Sequence, residues 1–171
     1  MKIAIIIAVS SVISAAAVYI SYFMICKTKW YVNKIRAEKA RGSKYFLWFS
    51  VFIRWIENEQ NGKKLSDYML DKGYKNVAIY GEGVVYDLVY TALKEAEIKI
   101  SYIIDSGAYE AGRRKDSKGF DIITAYEITD RETVDAIIVT PIYDYALILK
   151  KIQKIKADVE VISLDTIIYS L

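Results

Sequence analysis

The chain has 171 residues, 54% of them hydrophobic, a net charge of +3, one cysteine and no histidine. That length holds one ordinary domain and a short extra element, and it excludes a cofactor domain joined to a full substrate domain. Without histidine a Ser-His-Asp triad, a Cys-His dyad and a His-based metal site are ruled out, so no metal is expected; Cys26 alone cannot form an intrachain disulfide.

Residues 3–25 carry no charge and no proline and are rich in Ile, Val and Ala. At about 1.5 Å per residue, a helix of that length crosses the roughly 30 Å hydrocarbon layer, which predicts a transmembrane helix. A cleaved secretory signal is the competing reading, since Ser14, Ala15, Ala16 and Ala17 are small, but the apolar run continues well past them. A basic stretch follows: residues 27–44 hold Lys27, Lys29, Lys34, Arg36, Lys39, Arg41 and Lys44 against Glu38 alone, a charge of +6, whereas only Lys2 precedes the apolar run. Basic flanks stay on the cytoplasmic side. The expected location is therefore the cell membrane, single-pass, with the C-terminal domain cytoplasmic and residues 27–44 against the anionic inner leaflet. Everything after Lys44 carries −4, which argues against nucleic acid as a partner.

Residues 26–62 form a basic juxtamembrane and aromatic helical linker. Within it, the segment from Tyr45 to Glu59, YFLWFSVFIRWIENE, has Ser50, Arg54 and Glu57 at i, i+4 and i+7, a narrow polar stripe on a helix otherwise apolar all round. Such a helix needs cover. It can pack on the following domain, pair with a copy of itself in a homodimer, or lie in the membrane interface with Trp48 and Trp55 as anchors.

Residues 63–171 read as an α/β domain. Leu65, Tyr68 and Met69 recur at helical spacing, and Lys72-Gly73 closes that helix. Residues 76–80 form a short β-branched strand ending at Gly81, and residues 84–95 an amphipathic helix with Val85, Leu88, Val89, Ala92 and Leu93 on one face. Further strands are expected at 99–104, 120–123, 134–139 and 159–163, with a helix at 145–155 and a helical turn from Asp165. Apolar strands alternating with helices predict a Rossmann-like parallel sheet of about five strands with helices on both faces. Right-handed crossovers make the order 3-2-1-4-5.

In such sheets a ligand binds beyond the carboxyl ends of the strands where the order reverses, here between the first and fourth. Gly81-Glu82-Gly83, leading into Val84, lets the backbone turn sharply and aim helix N–H groups at a phosphate. Asp105 ends the second strand, the usual place for a carboxylate that accepts ribose hydroxyls, and Thr140-Pro141 ends the fourth. The turn resembles the dinucleotide-binding fingerprint G-x-G-x-x-G in its first two glycines and the acidic residue. It departs at the third position, where Tyr86 replaces a small residue, and in placing the Glu82 carboxylate inside the turn.

The motifs KNVAIYGEG, YIID, VDAIIVTP and VISLD are similar to those of Rossmann-like modules in bacterial surface-polysaccharide biosynthesis. In layout the stretch resembles the nucleotide-sugar-binding N-terminal domain of hexapeptide-repeat sugar acyltransferases. That resemblance covers the last two-thirds of the chain and implies a nucleotide-sugar or NAD(H) as ligand and polysaccharide-biosynthesis enzymes as partners. The catalytic β-helix of those acyltransferases has no counterpart here, so the resemblance implies binding more than turnover, and no catalytic residue is assigned. Two alternatives stand beside it: an NAD(P)-dependent or nucleotide-sugar-modifying enzyme, and a structural adaptor whose domain binds no ligand. Tyr90 and Lys94 have the Y-x-x-x-K spacing of short-chain dehydrogenases by chance, being on the wrong helix. Arg113-Arg114-Lys115 reads as a solvated surface sooner than as a ribose-phosphate contact.

Overall fold

The structure is a computed structural model that describes residues 18–171, with residues 2–17 entering only as the first part of helix α1. The chain divides into two units after Phe46. The first contains only part of α1 (Lys2–Gln60). This helix has no proline and a single glycine, Gly42. The predicted span at 3–25 lies outside the described residues up to position 17. Among the described residues, no helix is long and apolar enough to cross a membrane.

The second unit, from Leu47 onward, contains a five-stranded sheet in the order β3-β2-β1-β4-β5. Its strands are β1 (Asn76–Tyr80), β2 (Lys99–Ile104), β3 (Ile122–Ile123), β4 (Ala136–Val139) and β5 (Glu160–Ser163). Every pairing is parallel, so the predicted α/β architecture and strand order hold. Between and around them lie α2 (Leu65–Asp71), α3 (Val84–Lys94), α4 (Ser106–Glu110), α5 (Tyr145–Ile155) and α6 (Leu164–Ser170).

Strand side chains alternate between two apolar layers. Val77, Ile79, Ile103 and Ile138 pack with α2, α3, α6 and the last turns of α1. Ala78, Ile104, Ile137 and Val139 pack instead with α5 and the 3-10 turn Ala125–Asp130. Residues buried on both faces of a strand leave no room for polar alternation, which is why these strands read as continuous apolar runs.

The end of α1 is part of this core. Val51 is fully buried, Trp55 nearly so, and the buried Asn58 Nδ2 donates to the carbonyl of Ile168 in α6 at 2.7 Å. One face of the aromatic segment is thus covered by the domain itself.

Two strands, β3 and β4, start two residues later than their expected ranges, and β5 starts one residue later. The N–H of Phe120 donates to Asp116 Oδ1 at 2.8 Å inside a tight loop, so β3 begins only at Ile122. Ahead of β4, the Asp135 carboxylate accepts from the backbone N–H groups of Lys75 and Asn76, each at 2.8 Å, pinning the entry to β1. The bond from Asn76, then that from Lys75, holds the Asp135 carboxyl below the usual carboxylate range. Asp121, Glu127 and Glu132 are lowered too, by hydrogen bonds led by Lys115, the Thr124 backbone and Lys99 respectively.

A carboxyl with a depressed folded pKa contributes stability above its unfolded pKa and loses that contribution as pH falls through the folded value. The thermal midpoint of the domain, followed by circular dichroism, is therefore expected to be flat near neutrality and to fall below about pH 4. Asp135→Asn should make that acid-side decline shallower.

Candidate functional site

The chain leaves β1 through Gly81, whose φ of +98° is in the region that side chains rarely adopt. A Cβ there would lie 2.7 Å from Thr140 Oγ1 and 2.9 Å from Pro141 Cδ, so glycine is required both by conformation and by the closeness of the β4 exit. Thr140 is buried, and its hydroxyl donates to the Tyr80 carbonyl at 3.0 Å, with the Gly81 carbonyl at 3.2 Å. Its side chain ties the ends of β1 and β4 together.

Asp105 has a comparable duty. Oδ2 accepts from the Glu82 N–H at 2.8 Å, and Oδ1 accepts from the Ala108 N–H at 2.9 Å as the N-cap of α4. The expected ribose acceptor is first of all the latch of the turn. Its charge also bears on Tyr80, whose phenol is raised chiefly by burial and then by Asp105.

Glu82 is turned toward Arg113, whose guanidinium donates to the carboxylate at 2.8 Å. Gly83 differs from Gly81: its φ is −138° and a Cβ would meet nothing within 4 Å. No side chain caps the N-terminus of α3, and Val84 there is 82% exposed.

Tyr86 lies beneath the turn. Only 2% exposed, it sends its hydroxyl to the Asp116 carboxylate, and Lys118 Nζ sits 4.6 Å above its ring. Asp116 also accepts from the N–H groups of Lys118 and Phe120. Burial, then the bond to Asp116, pushes the Tyr86 phenol well above its ordinary value.

Gly81, Glu82, Gly83, Val84, Asp105, Thr140 and Pro141 together line one hollow of about 270 Å³, with Trp48 and Val85 completing it. The first seven are the residues expected from the sequence to hold a ligand. From the sequence Trp48 reads, with Trp55, as a candidate interfacial anchor and less readily as a ligand-stacking ring; nothing in its spacing points to this turn. Arg113 was read as solvated surface; its pairing with Glu82 depends on the path of the loop after α4 and has no local signal.

The neighbouring basic residues have other partners. Arg114 stacks on Tyr109 with its Cζ 3.6 Å from the ring centroid, and Lys115 pairs with Asp121 at 2.9 Å. Tyr90, of the Y-x-x-x-K spacing, packs edge-on to Phe120 with centroids 6.0 Å apart, away from the residues that line the hollow. A larger hollow of about 620 Å³, between the end of α1 and α3, is lined by Phe52, Trp55, Ile56, Leu88 and Ala92 among others. It is mainly apolar and lies off the carboxyl ends of the strands, where an α/β sheet places its ligands.

The sheet order and the β1–α3 turn define a Rossmann-like α/β domain with a hollow at its switch point. No protein-family model, no curated protein and no solved structure matches the chain.

The two glycines should respond differently to the same change. Gly81→Ala is expected to destabilise the domain by about 2–4 kcal/mol, through positive φ and the clash with Thr140 and Pro141. Gly83→Ala, which meets no steric obstacle and loses only the preference for glycine at the N-cap of α3, should cost no more than about 1 kcal/mol. Urea denaturation of the two variants reads the difference.

Proposed function

We propose that this chain is a membrane-anchored, non-catalytic nucleotide-sugar-binding protein, accessory to cell-surface polysaccharide biosynthesis at the inner face of the cell membrane. The observation that carries the binding is the convergence of the turn, the uncapped start of α3 and the end of β4 on one hollow at the switch point. The open space at Gly83 allows close approach of a phosphate to the backbone. Each Asp105 oxygen accepts one backbone N–H and keeps a second lone pair, enough for a ribose hydroxyl.

The volume of about 270 Å³ is slightly below the roughly 300 Å³ at which ligand sites begin. It suits part of a ligand, a diphosphate with its adjoining ribose, the rest lying over the rim, and a nucleotide-sugar or NAD(H) supplies that part equally. Of the carboxylates at the hollow, Asp105 accepts a backbone N–H on each oxygen, and Glu82 pairs with Arg113 through Oε1 while its buried Oε2 has no hydrogen-bond partner. The anchor rests on the apolar run 3–25 and the basic residues after it. The place in polysaccharide assembly rests on the likeness of KNVAIYGEG, YIID, VDAIIVTP and VISLD.

A second reading, a structural adaptor that binds no ligand, is favoured by one observation: Asp105 and Thr140 direct polar atoms to the turn's own backbone. Titrating the full chain with UDP-sugars, NAD(H) and NADP(H) while following the melting temperature separates the two. At about a hundredfold excess over the dissociation constant, a nucleotide-sugar should raise the midpoint by about 5 °C or more. Gly83→Trp should fold and lose that shift. No stabilisation by any of these compounds would leave the adaptor.

A further inference from the structure

The hollow at the β1–α3 turn has two kinds of wall. Its polar groups sit on the turn and the strand ends, where the Gly83 backbone, Asp105 and Thr140 lie. The rest is apolar: Trp48, Val84, Val85 and Pro141. A diphosphate with its ribose suits the first kind and covers little of the second, because a phosphate set against hydrocarbon loses water and gains no hydrogen bond. A ligand that matches the whole hollow carries a flat, less polar group beside its phosphates.

Trp48 offers the surface for such a group. It belongs to the same compact unit as the sheet, which begins at Leu47, and its partly buried ring packs against the core beneath α3. Part of the indole stacks on Phe52, with ring centroids 5.3 Å and planes 25° apart. Phe52 does not line this hollow, so the indole meets the hollow with a different part of its surface. A ring already held in place loses little freedom when a second ring stacks on it. Trp55 has another duty: it is 8% exposed, donates its Nε1–H to Glu59 at 3.3 Å and lines the larger hollow beside α3.

We propose that Trp48 is the stacking platform for the base of the bound nucleotide. The proposal rests on a ligand at the turn and adds which part of that ligand the chain selects. The base is bonded directly to the ribose that meets Asp105, whereas the sugar of a nucleotide-sugar lies beyond two phosphates. Trp48 comes from α1, outside the α/β segment 63–171, so the likeness of that segment to nucleotide-binding modules does not assign this role.

A base stacked on an aromatic side chain is worth about five- to 150-fold in affinity. The full chain is titrated with UDP-glucose and NAD(H), and with UDP, AMP, glucose 1-phosphate and pyrophosphate as fragments. Trp48→Leu should weaken whichever of UDP-glucose and NAD(H) binds by about tenfold or more and leave pyrophosphate unchanged. Tryptophan fluorescence gives a second reading that needs only the conservative variant. UDP or AMP should quench it, pyrophosphate should not, and the quench should vanish in Trp48→Phe, because Trp30 and Trp55 do not line the hollow.

Unchanged affinity for UDP-glucose or NAD(H) in a folded Trp48→Leu chain would overturn the platform while the binding reading stands. A quench that survives in Trp48→Phe has the same consequence. A Trp48-dependent quench by glucose 1-phosphate and none by UDP or AMP would also sink the proposal, since it sets the sugar on the ring. If no probe binds, the binding reading fails and the platform fails with it.

Discussion

The Asp105 carboxylate joins three elements at one point: it ends β2, caps α4 through Ala108 and fixes the β1–α3 turn through the N–H of Glu82. Gly81 can make that turn only because it has no Cβ to strike Thr140 and Pro141. The exits of β1, β2 and β4 are therefore locked together by one carboxylate, one glycine and one buried hydroxyl. The hollow exists as the space this arrangement leaves.

The same latch limits how a ligand can sit. Like charges about 4 Å apart cost about 4 kcal/mol at the effective dielectric of a protein surface. A helix N-terminus typically returns about 0.3–1 kcal/mol, reaching ~2 in favourable geometry. Repulsion wins if a phosphate is set against Asp105. In the proposed binding mode the phosphates belong at Gly83 and Val84, and Asp105 meets a hydroxyl. Arg113 assists by neutralising Glu82, the other carboxylate on the turn.

Tyr86 shows how a departure from the fingerprint is accommodated. A small residue at that position lets a helix lie close to its sheet. Here the ring is buried below the turn, and its hydroxyl reaches Asp116, which in turn holds the backbone of Lys118 and Phe120. The bulky side chain fastens α3 to the loop that precedes β3. That loop also supplies Arg113, so the substitution and the pairing of Glu82 belong to one local solution. Tyr86 fills space beneath the hollow and leaves the hollow itself open.

The sequence by itself determined the strands, their order and the place of the turn. Apolar runs such as AIIV and KISYII bury both faces of a parallel strand, and glycines at 81 and 83 mark the one sharp exit from β1. Those signals are local, repeated every few residues, and survive without knowledge of neighbours. Tertiary structure decided what the polar groups at that turn do. Asp105 and Thr140 were readable as ligand groups from position alone, yet besides the local N-cap bond from Ala108 their partners, the N–H of Glu82 and the carbonyl of Tyr80, come from backbone distant in sequence. The pairing of Glu82 with Arg113 and the arrival of Trp48 at the rim likewise need the folded chain, because a charge or ring has no periodicity that names its partner. For α1, spacing alone showed an apolar helix in need of cover; only packing revealed that Val51 and Trp55 face the core while Phe49 and Ile53 remain outside, since one helix can bury only one face against one domain.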